Sequence, residues 1–356
     1  MKHLAPAVFR RFACAAGACP DSCCRAGWEI VIDPETLARY ERLDGAEGDR
    51  LRSAVVPGAE ALLRQDGQRV CVLLEADGLC FAQRRFGHES LCRVCREYPR
   101  FHREFGNLTE HGLSLSCPTA FALAVSEPPS REQWEDDAPV VPNDLDPERY
   151  LLLREGRELA LGLLTQKDRS FWDRLELIWA LSARLQYALD GRKRSGKAAL
   201  RRLASPIGQK AVLRRARRFF GTLPCPGVRR GAMMAEEAME LPRWAARFSE
   251  LEILSSEWKQ ALQTLQRGLR EGRMPEGFLI PEQPELYARY LWYSLYKYWL
   301  DAADDALLLP RVRRSMAMTL LGLAMDRLVP KDRSWLQRIS REIEHCEENL
   351  EALLHL

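Results

Sequence analysis

The stretch Cys19-Pro20-Asp21-Ser22-Cys23-Cys24 places three thiols within six residues. A second crowded stretch follows in Cys92-Arg93-Val94-Cys95. Cys19 and Cys23, four apart, share a face if helical, and the three-residue spacing of Cys92 and Cys95 lets both thiolates reach one metal. Working outward, Cys14 precedes the first group, Cys71 and Cys80 flank an eight-residue loop, and Cys117 closes the region in Leu115-Ser116-Cys117-Pro118. Nine of the chain's eleven cysteines thus lie in its first third, and an odd number excludes complete disulfide pairing within the region. Metal ligation is the better reading. Thiolate-only ligation suits zinc or an iron–sulfur cluster, and irregular spacing with a single CxxC favours the cluster. Adjacent side chains rarely face one centre, so one of Cys23 and Cys24 is expected to serve a different site or to pack as an apolar residue. His88, His102 and His111 read as surface or hydrogen-bonded histidines. Cys225, in Leu223-Pro224-Cys225-Pro226, and Cys346, on the Ile339/Ile343/Leu350 stripe, read as structural.

The length of 356 residues predicts two domains. At 46% hydrophobic and 29% charged residues, the composition excludes a disordered or fibrous chain. A formal charge of +3 excludes a polyanion binder as a whole. The longest uncharged stretch, Gly112 to Ser126, is too short and too polar to span a bilayer, so no membrane partner is expected. Arg10 and Arg11 interrupt the place of a signal-peptide core, which predicts a cytoplasmic protein with reduced thiols.

Residues 126–149, with Pro128, Pro129, Pro139, Pro142 and Pro147 among many acids, read as an acidic proline-rich linker. It divides a cysteine-rich metal domain over 1–125 from a helical domain over 150–356. The fold class is mainly α, with a small irregular cysteine-rich domain ahead of a larger all-helical one. In the first, Trp28 to Ile32 and Val70 to Leu74 are β-like runs, and Asp33-Pro34 opens a helix through Leu37, Tyr40 and Leu43. In the second, Ser170 with Asp173 caps a helix that Gly191 stops. Ser255 precedes a stripe of Trp258, Leu262, Leu265 and Leu269 ending before Gly272. Tyr287 to Leu300, Met316 to Leu328 and Trp335 to Leu354 are further helical runs. There is no internal repeat.

Over about 110 residues the chain resembles the flagellin lysine-N-methylase family. The resemblance rests on Phe12-Ala13-Cys14, on Cys19 through Cys24, and on Gly27-Trp28-Glu29-Ile30 with Asp33 and Thr36. It continues in Gly78-Leu79-Cys80, in Gly87-His88-Glu89-Ser90-Leu91-Cys92-Arg93-Val94-Cys95-Arg96-Glu97-Tyr98-Pro99-Arg100, and in Leu113-Ser114-Leu115-Ser116-Cys117-Pro118. A smaller class of zinc- or iron-chelating proteins shares only part of this pattern and lacks the long helical region. The chain departs from the family at Val72-Leu73, in place of a proline and an aromatic. It departs again at Leu286-Tyr287-Ala288-Arg289-Tyr290, where the family has an acid–amide pair before the tyrosine.

The resemblance implies methylation of flagellin lysines with S-adenosyl-L-methionine as donor and a [4Fe–4S] cluster. By it Cys14, Cys19, Cys23, Cys24, Cys71, Cys80, Cys92, Cys95 and Cys117 become metal-ligand candidates. Preference falls on Cys14, Cys19, Cys23 and Cys24 with the Cys92/Cys95 pair, the others forming a second site or serving the core. Arg96 and Arg100 are candidates for a cofactor carboxylate or for neutralising the cluster, or are solvated arginines. Methyl transfer needs a neutral amine, whereas an unperturbed lysine has a pKa of ~10.4. Trp28, Tyr98, Trp292, Tyr293 and Tyr296 are candidates to flank a cationic side chain, against the commoner reading as core. No glycine-rich loop follows a strand, and no CxxxCxxC is present, so neither usual fold for this donor is supported. An iron with an open position would offer the donor's amino and carboxylate groups a ligand site. No residue is singled out as catalytic. Two rival readings lack enzymatic activity: a metal carrier, and a metal-stabilised nucleic-acid-binding protein suggested by the basic stretch Arg192 to Arg230. The near-neutral chain and the lack of interleaved aromatics before Phe219 count against nucleic acid.

Overall fold

The computed structural model describes residues 1–140, 144–191, 194–220, 240–273, 280–329 and 334–356. The chain is mostly helical, with a small sheet built around its N-terminus. Strand β1 (Lys2–Pro6) is an inner strand of that sheet. Strands β2 (Val55–Val56) and β3 (Leu62–Leu63) form a separate two-residue ladder. The hairpin β4 (Arg100–Phe105) and β5 (Leu108–Leu113) turns at Gly106, whose φ of 63° suits glycine at the first corner of a two-residue turn. β5 runs parallel to β1, and β6 (Arg131–Glu135) pairs antiparallel on its other side, giving the order β4-β5-β1-β6. Gly112 stands opposite Phe101 in the hairpin, and a Cβ there would collide with the Phe101 ring.

Two readings are corrected here. β6 lies inside the segment expected to be a linker, because β1 offers it a free edge that the local composition does not reveal. Neither β-like run becomes a strand: Trp28 to Ile32 contributes one isolated bridge, Val31 to Leu62, and Val70 to Leu74 contributes Cys71 to Gln65 and Leu74 to Cys80.

The core also divides elsewhere than at residue 125. Leu4, Val8, Phe12, Leu113, Leu115 and Phe121 join the large helical core, while Ile32, Tyr40, Leu51, Leu73, Phe81 and Cys92 form a small separate cluster. The sheet is thus part of the helical body, and the segment from Cys14 to Glu97 is inserted between β1 and β4. A buried ion pair fixes the sheet to the helices. Arg157, on the Pro147–Leu164 helix, donates to Glu110 of β5 at 2.6 Å and to the Tyr296 carbonyl at 3.2 Å.

The capping grammar holds. Asp33 accepts from the Thr36 amide at 3.0 Å ahead of the Pro34–Glu41 helix. Ser170 accepts from Asp173 at 3.1 Å, and Ser255 from Trp258 at 3.2 Å. Gly191 and Gly272 follow the Phe171–Leu189 and Ser256–Arg270 helices with φ of 102° and 68°. The Leu308–Leu328 helix starts earlier than its apolar run and is buried on nearly all sides, in the middle of the bundle. The run from Trp335 to Leu354 splits into Trp335–Ile343 and Glu347–Ala352. Among the described residues, no helix is long and apolar enough to cross a membrane.

Candidate metal centre

The inserted segment and the helix that follows β5 carry short elements whose ends converge. Three cysteines occupy helix N-cap positions: Cys80 before Phe81–Phe86, Cys92 before Arg93–Glu97, and Cys117 before Pro118–Ser126. An N-cap residue is extended while its side chain faces the first-turn amides, a setting that favours a thiolate. Cys23 and Cys24 open the single turn Cys23–Arg25, and the Cys71 amide donates to the Cys24 carbonyl at 2.9 Å. That bond ties the first cysteine group to the 71–80 loop.

All nine cysteines named above line one cavity of about 310 Å³. Cys14 sits at its exposed edge, Cys92 and Cys117 are buried, and the other six are partly buried. Arg96, Arg100, Tyr98, Tyr40 and His88 line it too.

The thiols are electrostatically crowded. Cys92 and Cys95 share a hydrogen bond across 3.3 Å; this bond lowers the Cys92 pKa and, together with burial, pushes Cys95 well up. Cys23 is pushed up by its hydrogen bond to Cys24, then by burial and by the nearby Cys14 and Cys117. The same bond brings Cys24 down to about 6, against burial. Burial takes Cys71 up to about 12, and raises Cys80 and Cys117 although first-turn amides pull both back. The Cys23–Cys24 pair therefore holds one proton between two sulfurs at neutral pH.

No family model, no curated protein and no solved structure matches the chain. The site has to be read from its own geometry.

The candidate residues fall into four groups. The cysteines come together without exception. Arg96 and Arg100 reach the cavity, but each already has a protein partner: Arg96 pairs with Glu89 at 3.3 Å, and Arg100 donates to the Phe12 carbonyl at 3.2 Å. Of the aromatics, Tyr98 lines the cavity with Trp28 edge-on behind it at 5.1 Å. Trp292, Tyr293 and Tyr296 are buried in the Pro284–Tyr298 helix as core. His102 and His111 hydrogen-bond one another at 2.6 Å on the sheet, and His111 also bonds His3 at 2.8 Å. His88 is the histidine that the sequence leaves at the cavity.

Sequence reasoning missed Tyr40 as a cavity residue. Its hydroxyl donates to the Ser90 carbonyl at 2.9 Å, joining the Pro34–Glu41 helix to the turn ahead of Cys92. The helical spacing of Leu37, Tyr40 and Leu43 signals a buried face but not what that face covers.

The basic stretch is partly described. On the Arg194–Ala204 and Pro206–Phe220 helices, Leu200, Leu203, Val212 and Leu213 are buried. Lys197, Arg201, Arg202, Lys210 and Arg214 are exposed, as on two ordinary amphipathic helices. Cys225 lies outside the described residues.

Proposed function

We propose that this chain is an iron–sulfur protein-lysine N-methyltransferase that acts on flagellin with S-adenosyl-L-methionine as donor. The observation that carries the metal part is the meeting of nine cysteines, spread from Cys14 to Cys117, on one cavity. A tetrahedral zinc bound at about 2.3 Å holds its sulfurs roughly 3.8 Å apart. Cys92 and Cys95, 3.3 Å apart, come within that spacing, so the reading as a multi-iron cluster rests on the number of sulfurs, nine where one zinc takes four. The donor set, all sulfur, fits such a cluster.

The protons describe two subsets that meet at the Cys23–Cys24 step. Cys23 senses Cys14 and Cys117, and Cys117 senses Cys19. Cys71 and Cys80 instead sense Cys24 and Cys92, and Cys95 senses Cys92 together with both Cys23 and Cys24, so the subsets touch there. Adjacent residues that face different neighbours fit the expectation that Cys23 and Cys24 serve different centres. The cluster would be held from one of these subsets, where it would supply a Lewis-acidic iron. Arg96 and Arg100 would face the negative charge of the thiolates.

The methylation part rests on the resemblance to flagellin lysine-N-methylases. The chain's own contribution to it is the cavity wall. Tyr98 presents its ring at a site where a lysine side chain would be desolvated, which favours the neutral amine that attack requires. The donor supplies the sulfonium methyl.

The test is purification without oxygen, analysis of iron, sulfide and zinc, and incubation with flagellin and the donor. Iron and sulfide in equal amounts, and new methyl groups on flagellin lysines by mass spectrometry, are expected. Both should vanish in Cys92→Ser/Cys95→Ser. Zinc without sulfide, and unmethylated flagellin, would leave the metal-carrier reading in place of this one.

A further inference from the structure

The run from Trp335 to Leu354 breaks after Ile343, and the break brings three unlike donors together. Glu252, His345 and Cys346 each place one ligand atom within 4.8 Å of the others. Glu252 lies in the loop between the Leu241–Ser249 and Ser256–Arg270 helices, far from the other two in sequence. None of the three lines the cysteine cavity. Cys346, read from the sequence as a stripe residue, is instead the N-cap of Glu347–Ala352 and accepts from the Asn349 amide at 3.4 Å.

His345 is the telling member. Its side chain is only 8% exposed, yet neither ring nitrogen makes a hydrogen bond of good geometry, the backbone of Arg341 and Glu342 lying near but poorly placed. The nearest carboxylate oxygen, Glu252 Oε1, is 4.0 Å from Nε2, too far to bond. A buried polar group left without a partner is costly, and a neutral imidazole always carries one donor and one acceptor to satisfy. The neighbours are held in place around it. Asn349 clamps the Glu252 backbone from both sides, accepting from its amide at 2.9 Å and donating to its carbonyl at 3.0 Å. The Cys346 thiol donates to Glu348 at 3.1 Å, which fixes its orientation. The Glu252 side chain is 56% exposed, which leaves the set open to solvent on one side.

We propose that Glu252, His345 and Cys346 form a second metal site, separate from the cysteine cavity, for a divalent transition cation of the zinc class. Thiolate, imidazole and carboxylate together match a borderline ion such as zinc, whereas magnesium and calcium take oxygen donors. Three protein ligands leave the fourth tetrahedral position for water or another small ligand. The exposed Glu252 side chain closes the remaining distance by rotation, while His345 and Cys346 stay fixed by packing and capping. The site does not depend on what fills the cysteine cavity.

Full-length protein stripped with a chelator is titrated with zinc alone, and bound zinc per chain is compared between wild type, His345→Gln and Cys346→Ser in the same preparation. The difference is what is read, so occupancy of the cysteine cavity cancels. Each variant is expected to hold one zinc fewer than wild type and to lose the zinc-dependent rise in Tm. Should either substitution impair folding, Glu252→Ala, at an exposed side chain, is expected to weaken zinc binding at this site at least tenfold. Zinc stoichiometry and affinity equal to wild type in the folded variants would overturn the assignment.

Discussion

Single residues show how little of a thiol's chemistry is intrinsic. Cys23 and Cys24 are neighbours with the same side chain, yet one is driven up and the other down to about 6 because a single proton is shared between them. Cys24 is therefore the expected nucleophile of the metal-free protein. Its alkylation by iodoacetamide should rise through pH 6, since the thiolate forms above its lowered pKa, whereas an ordinary thiol reacts only as pH approaches its much higher value. Peptide mapping after brief labelling at pH 7 should find Cys24 modified ahead of Cys71. Equal labelling of the two, or a Cys24 profile rising only above pH 8, would remove the shared-proton account. That nine cysteines gather at one cavity was legible from their number and placement. Which sulfur carries charge was not, because it depends on the Cys23–Cys24 contact and on burial that only the folded chain provides.

Elements were legible in proportion to how local their causes are. The helices beginning at Asp33, Ser170 and Ser255 announce themselves by a cap side chain bonded to an amide three residues on. The sheet does not, since β1 is five residues long and meets β5 more than a hundred residues later. Trp28 to Ile32 has better strand composition than β1, but only Val31 finds a partner there. Long-range pairing of this kind is secured by tertiary contacts, of which Arg157 with Glu110 is the most demanding. Both are buried, and burial opposes the charge on Arg157 while the Glu110 carboxylate more than offsets that and raises its pKa. Glu110→Gln would leave a buried guanidinium without its counter-charge and should cost about 3–5 kcal/mol in denaturant unfolding. The double substitution Glu110→Leu/Arg157→Met should recover much of that loss, because it removes the buried charge altogether. A single variant as stable as wild type would show that the pair does not anchor the sheet.

At the scale of the whole molecule, the cysteine-bearing insert has a small core of its own and depends on the helical body for its position. The principal clamp described is Arg341, on the Trp335–Ile343 helix. It is 5% exposed, donates to the carbonyls of Asp21 and Ser22 at 3.0 and 3.1 Å, pairs with the Asp21 carboxylate at 3.2 Å, and lies over the Trp28 ring at 5.2 Å. These contacts hold the Cys19–Cys24 stretch, whose sulfurs form one wall of the cavity, against the body that contributes Cys117 to it. Hydrogen bonds from a charged donor contribute about 1.5–3 kcal/mol each when made in a buried setting. Arg341→Met keeps the volume and removes the donors, so it should destabilise the chain by about 2–4 kcal/mol and speed amide exchange around Cys19 to Cys24 more than in the Leu308–Leu328 helix. Metal content should fall along with that protection, because sulfurs held by only one side of the cavity no longer converge. If exchange quickens equally throughout the molecule, Arg341 supports the bundle alone, and the cavity is shaped by the insert's own turns.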